Sequence, residues 1–297
     1  MIRTATRPRI AAHETGPSAA PAPPLAGAIG RAAVRALHAE LALHPKPGLV
    51  SPLDSGSHDD MDMGTFLRSL FALRGYFRAI AAAGAEGADF ATLRELGIAA
   101  ERRMLAATNG VNTHRGAVFG LGLLAAAAGW RMRRGRTLRG NALGATAAAL
   151  WGADILAAAP QAPDSHGVQA VTRYGARGAR QEAADGFPTL FEVALPALDR
   201  ALAAGADPER ASVQALFSLM AVLEDTNLLH RGGPAGLAFV QAGARRFLDR
   251  GGVFRAEWRD EALALHRACV LRRLSPGGSA DMLAAARFVH GLREGAG

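Results

Sequence analysis

The chain is 49% apolar, yet it holds only six isoleucines, and aromatic residues make up 6%. Strands draw on β-branched and aromatic side chains, so material for a sheet is scarce. Alanine and leucine, which lose little on entering a helix, supply most of the apolar content. With 297 residues the chain is long enough for a buried core, and the expectation is an all-α fold, a single bundle of about ten helices over residues 25–297.

Apolar periodicity places the helices. Leu25–Leu43 is followed by a helix after Asp62 whose Phe66, Leu70, Leu73, Phe77 and Ile80 share a face. Phe90–Ala107, Ala117–Ala128 and Thr137–Ala159 come next, then a helix over Thr189–Ala204 that Pro196 should kink. Asp207-Pro208 reads as a cap and first turn for a helix carrying Val213, Leu216, Phe217, Met220 and Leu223 into Glu224–Gly233. Two more helices cover 234–250 and 256–272, and Ser275–Asp281 turns into the last. Residues 160–187 show little periodicity and read as one long connection, functional or mobile. Residues 1–24, with arginine, proline and no apolar run of secretion-signal length, read as a disordered tail. No uncharged apolar stretch of about 18 residues suggests a membrane span, and the single cysteine, Cys269, reads as a small core residue. The expectation is a cytoplasmic protein.

Chemistry concentrates where helices begin and end. Leu43–Asp62 carries the chain's only lysine, Lys46, among 34 basic residues. Lysine is a compact point charge suited to one phosphate oxygen, and arginine a planar fork. The same stretch holds prolines 45, 47 and 52 and aspartates 54, 59, 60 and 62. A second polar loop, Thr108–Gly116, contains Asn109, Asn112, Thr113, His114 and Arg115 ahead of an apolar helix, where free amides form an anion site; an ordinary capped turn would explain the same residues. The third, E-D-T-N-L-L-H-R-G-G over Glu224–Gly233, holds Asp225, Asn227 and Arg231. Read as a helix C-terminus it accounts for its basic pair and glycines, but not for its two acids, which the dipole disfavours there. Arg180, Glu182 and Ser279 complete the inventory.

The net charge of +8 fits an anionic ligand as well as arginine spread over solvated helix faces. The densest patch, Arg131–Arg139, has no aromatic residue within it to stack a base. The chain lacks a P-loop, a G-x-G-x-x-G, a G-x-S-x-G and an H-E-x-x-H. Cations and carboxylates pooled at helix ends suit a polyphosphate with a divalent ion, guanidinium and amine taking phosphate oxygens and carboxylates the hard metal. Two other classes fit the residues: a helical metal-dependent nucleotide phosphohydrolase reading His58-Asp59 as a metal pair, and an arginine-rich nucleic-acid-binding protein.

Five motifs occur in order: H-P-K-P-G-L-V-S-P-L-D-S-G-S-H-D-D-M-D, G-V-N-T-H-R-G-A-V-F-G-L-G-L-L, R-Q-E followed by G-F-P, E-D-T-N-L-L-H-R-G-G, and G-G-S-A-D-M-L-A. Together, over roughly residues 28–290, they resemble the triphosphoribosyl-dephospho-CoA synthase family. The arginine of N-T-H-R-G and the L-L-H-R-G-G ending look more like the malonate decarboxylase branch than the citrate lyase branch. The resemblance implies a pentosyl transfer from ATP to the 2′-hydroxyl of 3′-dephospho-CoA, with adenine leaving and Mg²⁺ accompanying ATP. The product is the precursor of an acyl carrier prosthetic group, so a downstream phosphoribosyl-dephospho-CoA transferase or the acyl carrier subunit is an expected partner; neither nucleic acid nor membrane is, and a homodimer is compatible. On this reading Lys46, Asn109, Asn112, Thr113, Arg115, Arg180, Asn227, Arg231 and Ser279 bind substrate. Asp59 and Asp62 hold the metal. Asp60, Glu182, Glu224, Asp225 and His114 are the catalytic candidates.

Overall fold

The computed structural model describes residues 24–160 and 165–294. Among them are twelve α-helices and no strand, as the shortage of strand-forming residues requires. The tail expected over 1–24 lies, apart from Pro24, outside the described residues. No helix among the described residues is long and apolar enough to cross a membrane.

Helices α1 (Pro24–Leu41), α2 (Met63–Glu86), α3 (Phe90–Ala107) and α4 (Arg115–Arg133) form the first half. Asp62 caps α2, its carboxylate accepting from the Thr65 amide and hydroxyl at 2.8 Å each. Helix α4 is apolar on every side and is accordingly buried along most of its length. It lies against α2 with backbone nearly touching backbone: a Cβ on Gly84 would sit 2.1 Å from the Ala126 carbonyl oxygen, and one on Gly129 would sit 2.1 Å from that of Ala81. The small residues therefore set the distance between these two helices.

After a turn in which Arg134 and Arg136 lie over the Trp130 ring comes α5 (Ala142–Ala157). The stretch 160–187 is not one connection. It contains α6 (His166–Tyr174) and α7 (Gly178–Ala184). Each is short and buries so few residues (Ala170 in α6, Glu182 and Ala183 in α7) that no apolar stripe betrays it.

A π-helical turn, Thr189–Ala194, leads into α8 (Leu195–Ala203), which has Pro196 in its first turn. The irregularity Pro196 imposes is thus taken up by the preceding wide turn. Helix α9 is Pro208–Val222 and α10 is Thr226–Asp249. This boundary corrects the reading of Glu224–Gly233 as a helix end: α9 stops at Val222, and Asp225 is the N-cap of α10, accepting from the Asn227 amide at 3.0 Å. The two acids sit at a positive helix end, where they are favoured. Gly233 (φ 59°, ψ −164°), followed by Pro234, kinks α10 where a stop was expected. Helices α11 (Trp258–Leu271) and α12 (Gly277–Glu294) complete the chain, α12 packing on α1, α4 and α9. Cys269 is fully buried, its thiol pushed up to about 12 by desolvation.

Candidate active site

A cavity of about 960 Å³ opens between the helix ends, at the top of the size range usual for small-molecule sites. The N-terminal turns of α4, α6, α10 and α12 all reach it, through Arg115 and Gly116, His166 and Gly167, Thr226 and Asn227, and Gly277 and Gly278. Each such end carries partial positive charge and outward amides. Of the predicted residues, Lys46, Asp60, Asn109, Asn112, Thr113, His114, Arg115, Arg180, Asn227 and Arg231 line this cavity. Asp59, Asp62, Glu182, Glu224, Asp225 and Ser279 do not.

The opening loop is stitched to α11 and to the segment between α11 and α12. Ser57 Oγ donates to the Leu274 carbonyl at 2.7 Å, His58 Nε2 meets Ser275 Oγ at 2.9 Å, and the His266 ring meets the Lys46 carbonyl at 3.0 Å. Arg231 donates to the Ser57 carbonyl at 3.1 Å and lies 3.0 Å from His58 Nδ1. Burial and the Arg231 charge hold the His58 pKa below its usual value. Lys46 is not at an open edge: it is 1% exposed, and its ammonium donates to the Glu40 carboxylate at 2.7 Å and the Glu40 carbonyl at 2.8 Å. Asp60 stands at the mouth, 61% exposed and 3.6 Å from His58. Asp59 is out on the surface, 2.6 Å from Arg273, and Asp62 is spent on its cap. Among the described residues no group of three or more His, Cys, Asp or Glu could hold a metal ion.

The α3–α4 loop supplies the inner wall. Asn109 takes a left-handed conformation (φ 54°), which asparagine tolerates. Asn112 Oδ1 accepts from the Arg115 amide, the first of α4, at 3.2 Å, while the N-cap position itself is His114. Arg115 Nε pairs with Glu101 at 3.1 Å. His114 is 3% exposed, edge-on to Phe66, with Nδ1 only 2.6 Å from Ser69 Oγ. Desolvation, and secondarily the Lys46 charge, lower its pKa to about 3, so the ring is neutral. Its Nε2 and the Thr113 hydroxyl are buried with no hydrogen-bond partner, the kind of unmet polar group a ligand can satisfy.

Asp225 staples two helix N-termini together. Besides capping α10 it accepts from the Ser279 amide at 2.9 Å and hydroxyl at 3.2 Å in α12. Burial raises its pKa, while these amides work against the rise. Glu182 is taken by the Thr189 amide at 2.7 Å and hydroxyl at 3.1 Å, and Glu224 receives the Arg177 amide at 3.4 Å. The Arg180 guanidinium caps the carbonyl end of α5 at Ile155, Leu156 and Ala158.

The sequence reading missed Asp281. From α12 its carboxylate reaches the first turn of α4, lying against the Cα of Gly116, where a Cβ would be 2.0 Å from Oδ2. It thus occupies much of the anion site expected at that helix end. Burial, then the nearby Glu40 and Asp225 carboxylates, raise its pKa well above the usual range. The signal was present in G-G-S-A-D, but Asp281 there is indistinguishable from a local cap.

Known proteins resemble this chain over most of its length. A protein of Acinetobacter calcoaceticus named probable 2-(5''-triphosphoribosyl)-3'-dephosphocoenzyme-A synthase is 41% identical over 254 residues, covering 86% of this chain and 87% of that protein. A Stutzerimonas stutzeri protein of the same name is 45% identical over 276 residues (91% and 93%). The 2-(5''-triphosphoribosyl)-3'-dephosphocoenzyme-A synthase of Pectobacterium atrosepticum is 43% identical over 269 residues, 86% of each chain. No solved structure matches. The family CitG, ATP:dephospho-CoA triphosphoribosyl transferase, matches residues 26–297, nearly the whole described fold and every wall of the cavity, and the chain belongs to that family of transferases.

Proposed function

We propose that the cavity joins the 5-triphosphoribosyl group of ATP to the 2′-hydroxyl of 3′-dephospho-CoA and releases adenine, supplying the prosthetic-group precursor of a malonate decarboxylase acyl carrier. The observation that carries the reading is the convergence of Arg115 and Arg231 on one cavity bordered by the N-terminal turns of α4, α6, α10 and α12, even with Asp281 at the α4 end and Asp225 on amides of α10 and α12. Such a surface suits a triphosphate that is held rather than cleaved. Mg²⁺ enters here as the companion of ATP, part of the substrate. The carboxylates assigned to it from sequence, Asp59 and Asp62, are engaged with Arg273 and Thr65, and no step depends on a protein-held ion.

In the transfer, the bond between the ribose C1 and the adenine nitrogen breaks, its electron pair leaving with adenine, and the acceptor oxygen bonds to C1. The hydroxyl proton is the one adenine carries away. Asp281 is the base that holds this proton between the two, its raised affinity placing it nearer the working pH than an ordinary carboxylate. A carboxylate beside C1 also stabilises the oxocarbenium character of the transition state, as in other glycosyl transfers. With Ser69 donating to Nδ1, neutral His114 presents Nε2–H as a donor to the departing base. Lys46, through Glu40, fixes the floor beneath both.

The test is adenine formation by chromatography. Adenine should appear only with both substrates present. Asp281→Asn should lower kcat by about 100-fold or more with KM for ATP within about threefold. A variant of full kcat removes Asp281 from the reaction. For the pathway, deleting the gene should abolish malonate decarboxylase activity in the cell, and unchanged activity would refute that assignment. What supports the malonate decarboxylase reading is the arginine of N-T-H-R-G, Arg115, and the L-L-H-R-G-G ending.

A further inference from the structure

A second cavity of about 250 Å³ lies on the far side of Asp281. The two share a wall that includes Gly116, Arg177, Thr226, Gly278 and Asp281, but their characters differ. The larger has apolar walls too, but it also takes in the helix N-termini and Arg115, Arg180 and Arg231. The smaller shares Phe119 with it and adds Leu121, Phe187, Val222, Leu223 and Met282, with the Glu182, Glu224 and Asp225 carboxylates at its polar side. Its mouth is marked by Val222, an exposed apolar side chain on an otherwise well-buried helix.

A transfer between two bulky substrates needs two places that meet at the reacting atoms. On the proposed reaction, one substrate ends in a triphosphate and the other in a long, mostly uncharged pantetheine arm. We propose that the smaller cavity is the acceptor subsite and takes that pantetheine arm, so that the acceptor 2′-hydroxyl meets the donor C1 at the shared wall beside Asp281. This rests on the reaction proposed above. The volume is too small for a nucleotide and suits an unbranched chain. Arg177, on the shared wall, stands where the acceptor's diphosphate would cross from one cavity to the other, paired with Asp185.

Gly120 provides the means to fill the cavity without disturbing the larger one. It lines only the smaller of the two, it lies inside α4, and a Cβ there would meet only Phe187, at an ordinary 3.6 Å. Gly120→Leu should therefore fold, gaining helix propensity, while occupying the space. The experiment is calorimetric titration of the full chain with 4′-phosphopantetheine and, separately, with ATP. The expected result is phosphopantetheine binding that Gly120→Leu weakens at least about tenfold, with ATP affinity within about twofold, and no competition between the two ligands. A second variant, Val222→Asp at the exposed rim, should weaken phosphopantetheine in the same selective way. Absent phosphopantetheine binding, equal binding to both variants, or displacement by ATP overturns the assignment. Phosphopantetheine bound as described by a chain that forms no adenine from ATP and 3′-dephospho-CoA would support the subsite and overturn the reaction instead.

Discussion

Lys46 shows how a residue's rarity and its role can point in different directions. As the only lysine it reads as a phosphate ligand, yet it is buried against Glu40. Removing one partner of a buried pair strands the other charge and costs about 3–5 kcal/mol, whereas replacing both with apolar groups is often nearly neutral. Lys46→Met should therefore lower the melting temperature sharply, and adding Glu40→Leu should restore most of it. A single variant as stable as the wild type would mean that the pair is not closed in solution. His114 makes a pH prediction. Its folded pKa of about 3 lies below the unfolded 6.5, so between these values the unfolded chain binds more protons and stability falls as pH falls, by up to about 1.4 kcal/mol per pH unit. Asp225 and Asp281, with raised pKa values, act in the opposite sense, favouring the folded state as pH falls. The difference between wild type and His114→Gln isolates the imidazole. The wild type's denaturation midpoints at pH 7, 6, 5 and 4 should fall relative to those of the variant, and a constant gap would show that His114 binds its proton equally well in the folded and unfolded states.

At the scale of elements, local chemistry was legible and long-range chemistry was not. Asp62 and Asp207 were readable as caps because their partners, Thr65 and Arg210, lie three residues on. Helices α6 and α7 were not, since each buries too little to leave a stripe. The break at Leu223–Asp225 was hidden because the apolar stripe of α9 runs into it without a glycine or proline to mark the end. Asp281 could not be placed because its partner, α4, is distant in sequence. The close α2–α4 contact gives a paired test. Gly84→Ala must push the Ala126 carbonyl away and should destabilise by about 1–3 kcal/mol despite better helix propensity. Gly75→Ala, on the open side of the same helix with nothing within 4 Å, should stabilise by about 0.5–1 kcal/mol. Thermal unfolding that moves both variants the same way would contradict the packing described.

For the whole molecule, composition settled the all-helical class, and the ordered motifs pointed to the family that the comparisons then showed. What they did not convey is how the motifs divide the work. The H-P-K-P-G and E-D-T-N segments mainly hold loops and helix ends together, through Lys46 with Glu40 and Asp225 with Ser279. The cavity's cationic side chains, Arg115 and Arg231 among them, are set between the helix termini these segments gather. The central claim is that this cavity holds a triphosphate intact while the base departs. It is tested most directly by incubating the full chain with 3′-dephospho-CoA and ATP labelled in its γ-phosphate, then separating the products. The account predicts label in the dephospho-CoA-derived product, one for one with free adenine. Label released as phosphate or pyrophosphate, with adenine still attached to ribose, would contradict it.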